Sequence, residues 1–409
     1  MKLRRWGFVS IAVTCWLIVL PSQMRAQATQ AKGDTVKIGV LAVFSSFGAD
    51  YSGNGAVLSV QMAVDDFGGK VNGKPIEVLS ADTQQKADVA SSIVREWFDR
   101  DNVDVVVDVP SSPVALAISD IAKERNKVVF LNDAGSNLLS GKRCAPTVFQ
   151  WTFDSYNVSV GTVRALTKRG YKSWYFLVSD MAYGHDLFRY GSNAVKESGG
   201  DVVGSVEHPM NNNDFSSQLL QAQASKAAVI AMADGPPDNL NAVKQATQFR
   251  IREHGKVIAP FQFGITDVHS LGLDTAQGLI YTTGFYWDMD ADTRAFAKRY
   301  FDKMKVMPNW YDASLYSAVT DYLKAVKAAK STDGIAVAAK IRELPVVDFM
   351  AKHGTVRPDN RMSYPLYLVQ VKSPQESKYA WDYLKILATI TPEEGYLPLA
   401  ESECPMVKK

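Results

Sequence analysis

The sequence predicts an α/β protein with two series of parallel-type sheet flanked by helices, and three observations predict it. Short apolar, β-rich runs alternate with amphipathic helical stretches from residue 34 onward. Such alternation marks parallel strands covered by helices on both faces. The alternation restarts near residue 155, giving two series of similar size. The length of 409 residues fits two domains at roughly 150 residues each plus connections, each large enough to bury its own core.

Val36 to Val43 opens the first series as an apolar run. A loop with Gly48, Gly53 and Gly55 leads into a helix. Its Ala56, Val60, Ala63, Val64 and Phe67 share one face at i, i+4, i+7 spacing. Ile76 to Ser80 reads as a strand, and Ala87 to Phe98 as a helix with Ala90, Ile93, Val94 and Trp97 inward. Val103 to Val109 is a strand, Pro113 to Glu124 a helix with proline at its start, and Lys127 to Leu131 a strand. In the second series, helices are expected at Tyr156 to Lys168, Asp186 to Glu197 and Asn239 to Phe249. Asp214 is an expected N-cap for another helix, through Ala224. The strands between them are Trp174 to Val178, Val202 to Val206, Ala228 to Met232, Val257 to Phe263 and Leu279 to Thr283. Helices over Ala291 to Met304, Tyr311 to Lys330 and Ile335 to Arg342 follow, then strands at Leu366 to Val371 and Tyr383 to Ile390.

The N-terminus reads as a secretory leader over residues 1–26. Lys2, Arg4 and Arg5 precede an apolar run from Trp6 to Leu20, and Ala26 and Ala28 offer small-residue cleavage positions. The run falls short of the roughly 20 residues that span a bilayer. An exported protein meets an oxidising compartment. Once Cys15 leaves with the leader, Cys144 and Cys404 are the remaining pair, expected as a disulfide. The chain carries a formal charge of +2, but the leader holds four basic and no acidic residues, so the remainder is about −2. A nucleic-acid binder needs a clear basic excess, so that class is excluded.

No G-x-S-x-G elbow or Walker A loop is present. Gly53-Asn54-Gly55 begins a dinucleotide fingerprint, but Leu58 stands at the third glycine. His185, His208, His254, His269 and His353 show no metal-ligand spacing, and no cofactor or metal is expected. What stands out is small, polar and aromatic residues just after strands, where open α/β sheets bind ligands. Ser111-Ser112-Pro113 opens a helix, so two hydroxyls and helix-terminal N–H groups form a cradle for an anion or carboxylate; one ordinary N-cap would explain only one serine. Asp133-Ala134-Gly135-Ser136, Asp180-Met181-Ala182-Tyr183-Gly184, Asp234-Gly235-Pro236-Pro237 and Gly264-Ile265-Thr266-Asp267 occupy like positions. Turn chemistry explains glycine and proline there but not Tyr183.

With these motifs in this order, the chain resembles the periplasmic substrate-binding proteins of ABC importers, in the branch that binds leucine, isoleucine and valine. The resemblance runs from about Lys37 to Val407 and is carried by Val36-Lys37-Ile38-Gly39-Val40-Leu41, Ser111-Ser112, Ala134-Gly135-Ser136-Asn137, Asp180 to Gly184 and Asp214-Phe215-Ser216. It implies the two-lobed type I fold, with three crossover strands near Trp151–Phe153, Tyr281–Phe285 and Gly354–Tyr364. The first lobe would be 34–152 plus 285–355, and the second 153–284 plus 356–409. Ligand would be held by hinge closure. By that resemblance Ser112 matches the carboxylate-binding serine, and Ala134, Gly135 and Ser136 the loop holding an amino-acid head group. Tyr51 and Tyr183 match cleft aromatics of opposite lobes, and Asp267 is the nearest candidate for the ammonium-binding acid. Asp133 stands where the leucine-binding proteins have glycine, and Gly235 where they have tyrosine. The expected site is thus Tyr51, Ser111, Ser112, Asp133, Ala134, Gly135, Ser136, Tyr183, Asp234 and Asp267, with Phe47, Phe263 and Trp287 as further aromatics. The ligand class is an amino acid, an amide, or an aromatic or aliphatic carboxylate. The implied protein is a periplasmic, non-enzymatic monomer whose partner is an inner-membrane ABC permease. The alternative is an exported hydrolase using Asp133, Asp267 and a histidine such as His185.

Overall fold

The computed structural model describes residues 33–45 and 48–408. The expected leader with its cleavage positions, Cys15 and Phe47 lie outside the described residues. The first sheet is centred on β1 (Val36–Ala42), which is buried along nearly its whole length. A short hairpin pairs β2 (Lys70–Val71) with β3 (Lys74–Asp82). The sheet continues through β4 (Val105–Asp108), β5 (Val128–Leu131) and β6 (Val148–Gln150) in the order β2-β3-β1-β4-β5-β6. Every pairing but β2 with β3 is parallel. Helices α1 (Gly53–Asp66), α2 (Ala87–Asp99) and α3 (Ser112–Arg125) connect its strands. Gly39 in β1 admits α2 closely, because a Cβ there would lie 2.5 Å from the Trp97 ring. Ala56, Val60, Ala63 and Val64 are buried as expected, whereas Phe67 is half-buried and lies past the end of α1.

The second series begins with α4 (Ser155–Lys168), fixed by a reciprocal cap. Asp154 accepts from the Asn157 N–H at 2.7 Å, and the Asn157 side chain accepts from the Asp154 N–H at 3.0 Å. Its strands are β7 (Ser173–Ser179), β8 (Asp201–His208), β9 (Val229–Ala233) and β10 (Val257–Pro260), all parallel in the order β10-β9-β7-β8. The helices are α5 (Ala182–Glu197), α6 (Ser216–Ala224) and α7 (Asp238–Gln248), then the short α8 (Ile265–Leu271) and α9 (Leu273–Ala276). Asp214 accepts from the Ser216 N–H at 2.9 Å, but Phe215 is the residue at the start of α6.

β11 (Ile280–Thr283) precedes a long excursion through α10 (Ala291–Met304), α11 (Trp310–Ala329) and α12 (Gly334–Glu343). α11 packs on α1 and β4 of the first sheet. After the hairpin of β12 (Thr355–Val356) and β13 (Met362–Ser363), the chain pairs β14 (Leu366–Val371) antiparallel with β11 and with β15 (Leu384–Ile390). A last turn, α13 (Pro392–Gly395), rests on α4. Cys144 and Cys404 form a disulfide with Cα atoms 5.6 Å apart, tying the C-terminal tail to the loop after β5. No helix among the described residues is long and apolar enough to cross a membrane.

Two connecting segments are held to each other by Arg361, whose side chain is only 2% exposed. Its Nε donates to Asp154 Oδ2 at 2.7 Å, and its other nitrogens donate to the carbonyls of Gln150 and Thr152 at 2.9 and 2.7 Å. The guanidinium carbon lies 5.1 Å from the centre of the Tyr396 ring.

Candidate ligand cleft

The site begins with strain at the end of β4. Asp108, Val109 and Ser111 take φ of 76°, 61° and 65°, conformations that cost on the order of 1–3 kcal/mol each outside glycine. Hydrogen bonds hold them there. Ser52 Oγ donates to the Asp108 carboxylate. The Asp108 N–H donates to Asn132 Oδ1 at 3.2 Å, and the Ser111 N–H to the Asp133 carbonyl at 3.0 Å. The turn after β4 is thereby clamped to the turn after β5. Ser136 N–H then donates to Ser112 Oγ at 3.1 Å. So the structure brings Ser111, Ser112, Asp133, Ala134, Gly135 and Ser136 into one surface.

The other side of the cleft meets this surface at Gly135. A Cβ on Gly135 would lie 2.5 Å from Phe153 Cε2 and 2.9 Å from Tyr183 Cε2. Tyr183 reaches it from the first turn of α5, its ring edge-on to Phe153 with centroids 6.5 Å apart. The Tyr183 hydroxyl is buried without a hydrogen-bond partner among the described residues.

Tyr51 and Asp267 also meet. The Tyr51 hydroxyl donates to Asp267 Oδ1, and Asp267 Oδ2 accepts from the Gly264 N–H at 2.8 Å, capping α8. Tyr311, in the first turn of α11, sets its ring edge-on to Tyr51 at 5.4 Å and accepts from Gln262 Nε2 at 3.2 Å. Phe153, Phe263, Tyr281, Phe285, Trp310 and Tyr311 border a cavity of about 20 Å³, about one water in size. Phe263 is thus beside the cleft, whereas Trp287 is buried elsewhere, its indole N–H donating to the Trp381 carbonyl at 3.0 Å.

Asp234, directly after β9, is already engaged. Its Oδ2 lies 3.0 Å from His208 Nε2, and its Oδ1 accepts from the Gly235 N–H at 2.7 Å. Asp238 completes a buried group with them, one that chain spacing could not reveal because His208 ends β8 while Asp234 and Asp238 follow β9. His185 is exposed, 3.3 Å from Asp180 and 3.6 Å from Glu207, which gives no support to a hydrolytic role in the cleft. Sequence reasoning also missed Tyr311, Phe153 and Gln262. The available signal was the aromatic pair Trp310-Tyr311 directly after the Asn309 cap.

Burial raises the carboxyl of Asp133 well above its ordinary range, and the charge of Asp108 adds to it. Burial also pushes Asp267 up to about 7, against the opposing bonds from Tyr51 and Gly264. Asp108 and Asp312 are likewise raised to about 7, and Asp321 to about 8, burial being the main cause. Each holds its proton more tightly folded than unfolded, where an aspartate titrates at about 3.9. Stability should therefore fall as pH rises from about 4 through about 7–8. His208 has the same sign. Burial opposes its charged form but Asp234 raises it overall, so its contribution is present at low pH and lost as pH rises. Thermal melts should give a lower Tm at pH 8 than at pH 5; a higher Tm at pH 8 would contradict this electrostatic account.

Residues 35–378 match the periplasmic binding protein family. A solved periplasmic binding protein from Burkholderia mallei is 44% identical with a TM-score of 0.86, covering 92% of this chain and 100% of that one. A branched chain amino acid ABC transporter periplasmic ligand-binding protein from Burkholderia xenovorans is 42% identical with a TM-score of 0.87, covering 91% and 100%. The Leu/Ile/Val-binding protein homolog 6 of Brucella suis is 26% identical over 364 residues, 86% of this chain and 91% of that protein.

Proposed function

Since the chain belongs to the periplasmic binding protein family, we propose that it captures one small polar ligand between its two lobes by hinge closure and delivers it to an ABC importer. The observation that carries this reading is the meeting of both sides at Gly135, where Tyr183 and Phe153 press on a backbone that a side chain would block. Ser112, Ser136 and the backbone around Gly135 form the head-group surface. Tyr51 and Tyr183 close on the ligand body from opposite lobes, and the Tyr51–Asp267 contact yields to or frames the ligand. The basic, apolar and small-residue pattern of residues 1–26 supports export to the periplasm with cleavage near Ala26 or Ala28. The partner is an inner-membrane permease, and the protein works as a monomer. It returns its ligand chemically unchanged.

Ser112→Ala should weaken binding by about 1–3 kcal/mol, the cost of one hydrogen bond to a charged or polar head group. Calorimetric titration of the variant checks this. An unchanged Kd would remove Ser112 from the site, and conversion of the ligand during titration would contradict the capture reading.

A further inference from the structure

The cleft is short of positive charge. Asp133 accepts no hydrogen bond through its side chain and makes no ion pair among the described residues; only its backbone is engaged, its carbonyl by the Ser111 N–H and its own N–H by the Asp108 carbonyl. It is half-buried and stands two residues before Gly135, the backbone against which Tyr183 and Phe153 pack. Its charge reaches Tyr51 from the loop before α1, Tyr183 from α5 and Tyr311 from α11. Asp267 stands across the cleft with its oxygens on Tyr51 and Gly264. Among the described residues, no lysine or arginine is among the charges that bear on Asp133, Asp267 or these tyrosines, and none borders the adjoining cavity. The Tyr183 hydroxyl is buried with no partner among the described residues.

Resting on the capture reading, we infer that the ligand presents an N–H-bearing end of zero or positive net charge, an ammonium, amidine or amide, to Asp133, and that simple monoanionic carboxylates are rejected. An N–H donor gives Asp133 the partner that the protein withholds. A carboxylate with no accompanying amine would add a like charge beside Asp133 wherever Asp133 is ionised, with no cation to offset it. A zwitterionic amino acid satisfies both demands, its ammonium on Asp133 and its carboxylate on Ser112 and Ser136.

Two sets of isosteres separate charge from shape: benzoate, benzamide and benzamidine, and 4-methylpentanoate, L-leucine and L-leucinamide. In whichever set binds, calorimetry should show the N–H-bearing members at least tenfold tighter than the carboxylate, and Asp133→Asn should erase most of that ratio. A carboxylate that binds as tightly as its N–H-bearing counterpart, or a ratio unaffected by Asp133→Asn, would overturn the inference while leaving capture intact. Turnover of a probe would instead sink the capture reading. A ligand-free measurement tests the premise separately. The titratable groups electrostatically coupled to Asp133 are Asp108 at the end of β4 and Tyr51, Tyr183 and Tyr311, none of them a cation. Asp133→Asn should therefore raise Tm by several degrees at pH 8 and leave it nearly unchanged at pH 4. A fall at pH 8 would mean that the carboxylate already has a stabilising partner in the protein, and the inference would fail.

Discussion

Arg361→Met should destabilise the protein by about 3–5 kcal/mol, the cost of leaving one member of a buried ion pair without the other. The variant strips Asp154 of its 2.7 Å partner and leaves the Gln150 and Thr152 carbonyls without their donors. Asp154 would keep its bond from the Asn157 N–H, so α4 should still start at the same place. The loss falls on the connection between the two segments. Adding Asp154→Asn should recover part of the stability, because removing both charges of a buried pair is far less costly than removing one. Urea unfolding of the single and double variants checks both expectations. A loss below about 1 kcal/mol, the scale of an exposed pair, would mean that water reaches this junction.

Gly135→Ala should have the largest effect on binding, with affinity falling at least tenfold. The new Cβ would sit 2.5 Å from Phe153 and 2.9 Å from Tyr183, distances that rings cannot accept without moving. Phe153 is buried against Tyr311 and Trp310 and has little room to shift. Tyr183 is the ring that can swing away, and with it goes the closed arrangement. Overpacking of this kind costs about 1–3 kcal/mol of stability, so the fold should survive while closure suffers. Tyr183→Ala on the Gly135→Ala background should restore closure in part, though not the lost ring contact with ligand. A Kd equal to that of the unaltered protein would show that the lobes do not close on Gly135.

The sequence made the layers legible because parallel strands buried on both faces are apolar throughout. β1 and the strands from Val105 and Val229 are of this kind. The helix over Ala291–Met304 was legible to the residue, since Asp290 caps it with bonds to the Asp292 and Thr293 N–H groups. β6 was missed because three residues carry no period, and α8 and α9 because seven and four residues barely carry one. At the cleft, the residues after strands were legible as positions but not as partners. Asp108, Val109 and Ser111 turn left-handed without a glycine or asparagine, so the usual signal of a strained turn was missing. Tyr311 looked like the start of a core helix. Only the folded chain sets it beside Tyr51 and Gln262. Asp234 read as a cleft acid, but His208 lies across the neighbouring strand and takes it up.

The most direct test of ligand capture between the lobes is X-ray scattering from the leader-free chain, with and without a saturating amount of the tightest-binding probe. Closure on the ligand predicts a smaller radius of gyration in the bound sample, and a smaller decrease for Gly135→Ala at equal occupancy. A bound sample with the same radius as the free protein would contradict the account, because the ligand would then occupy a site that neither lobe moves to close.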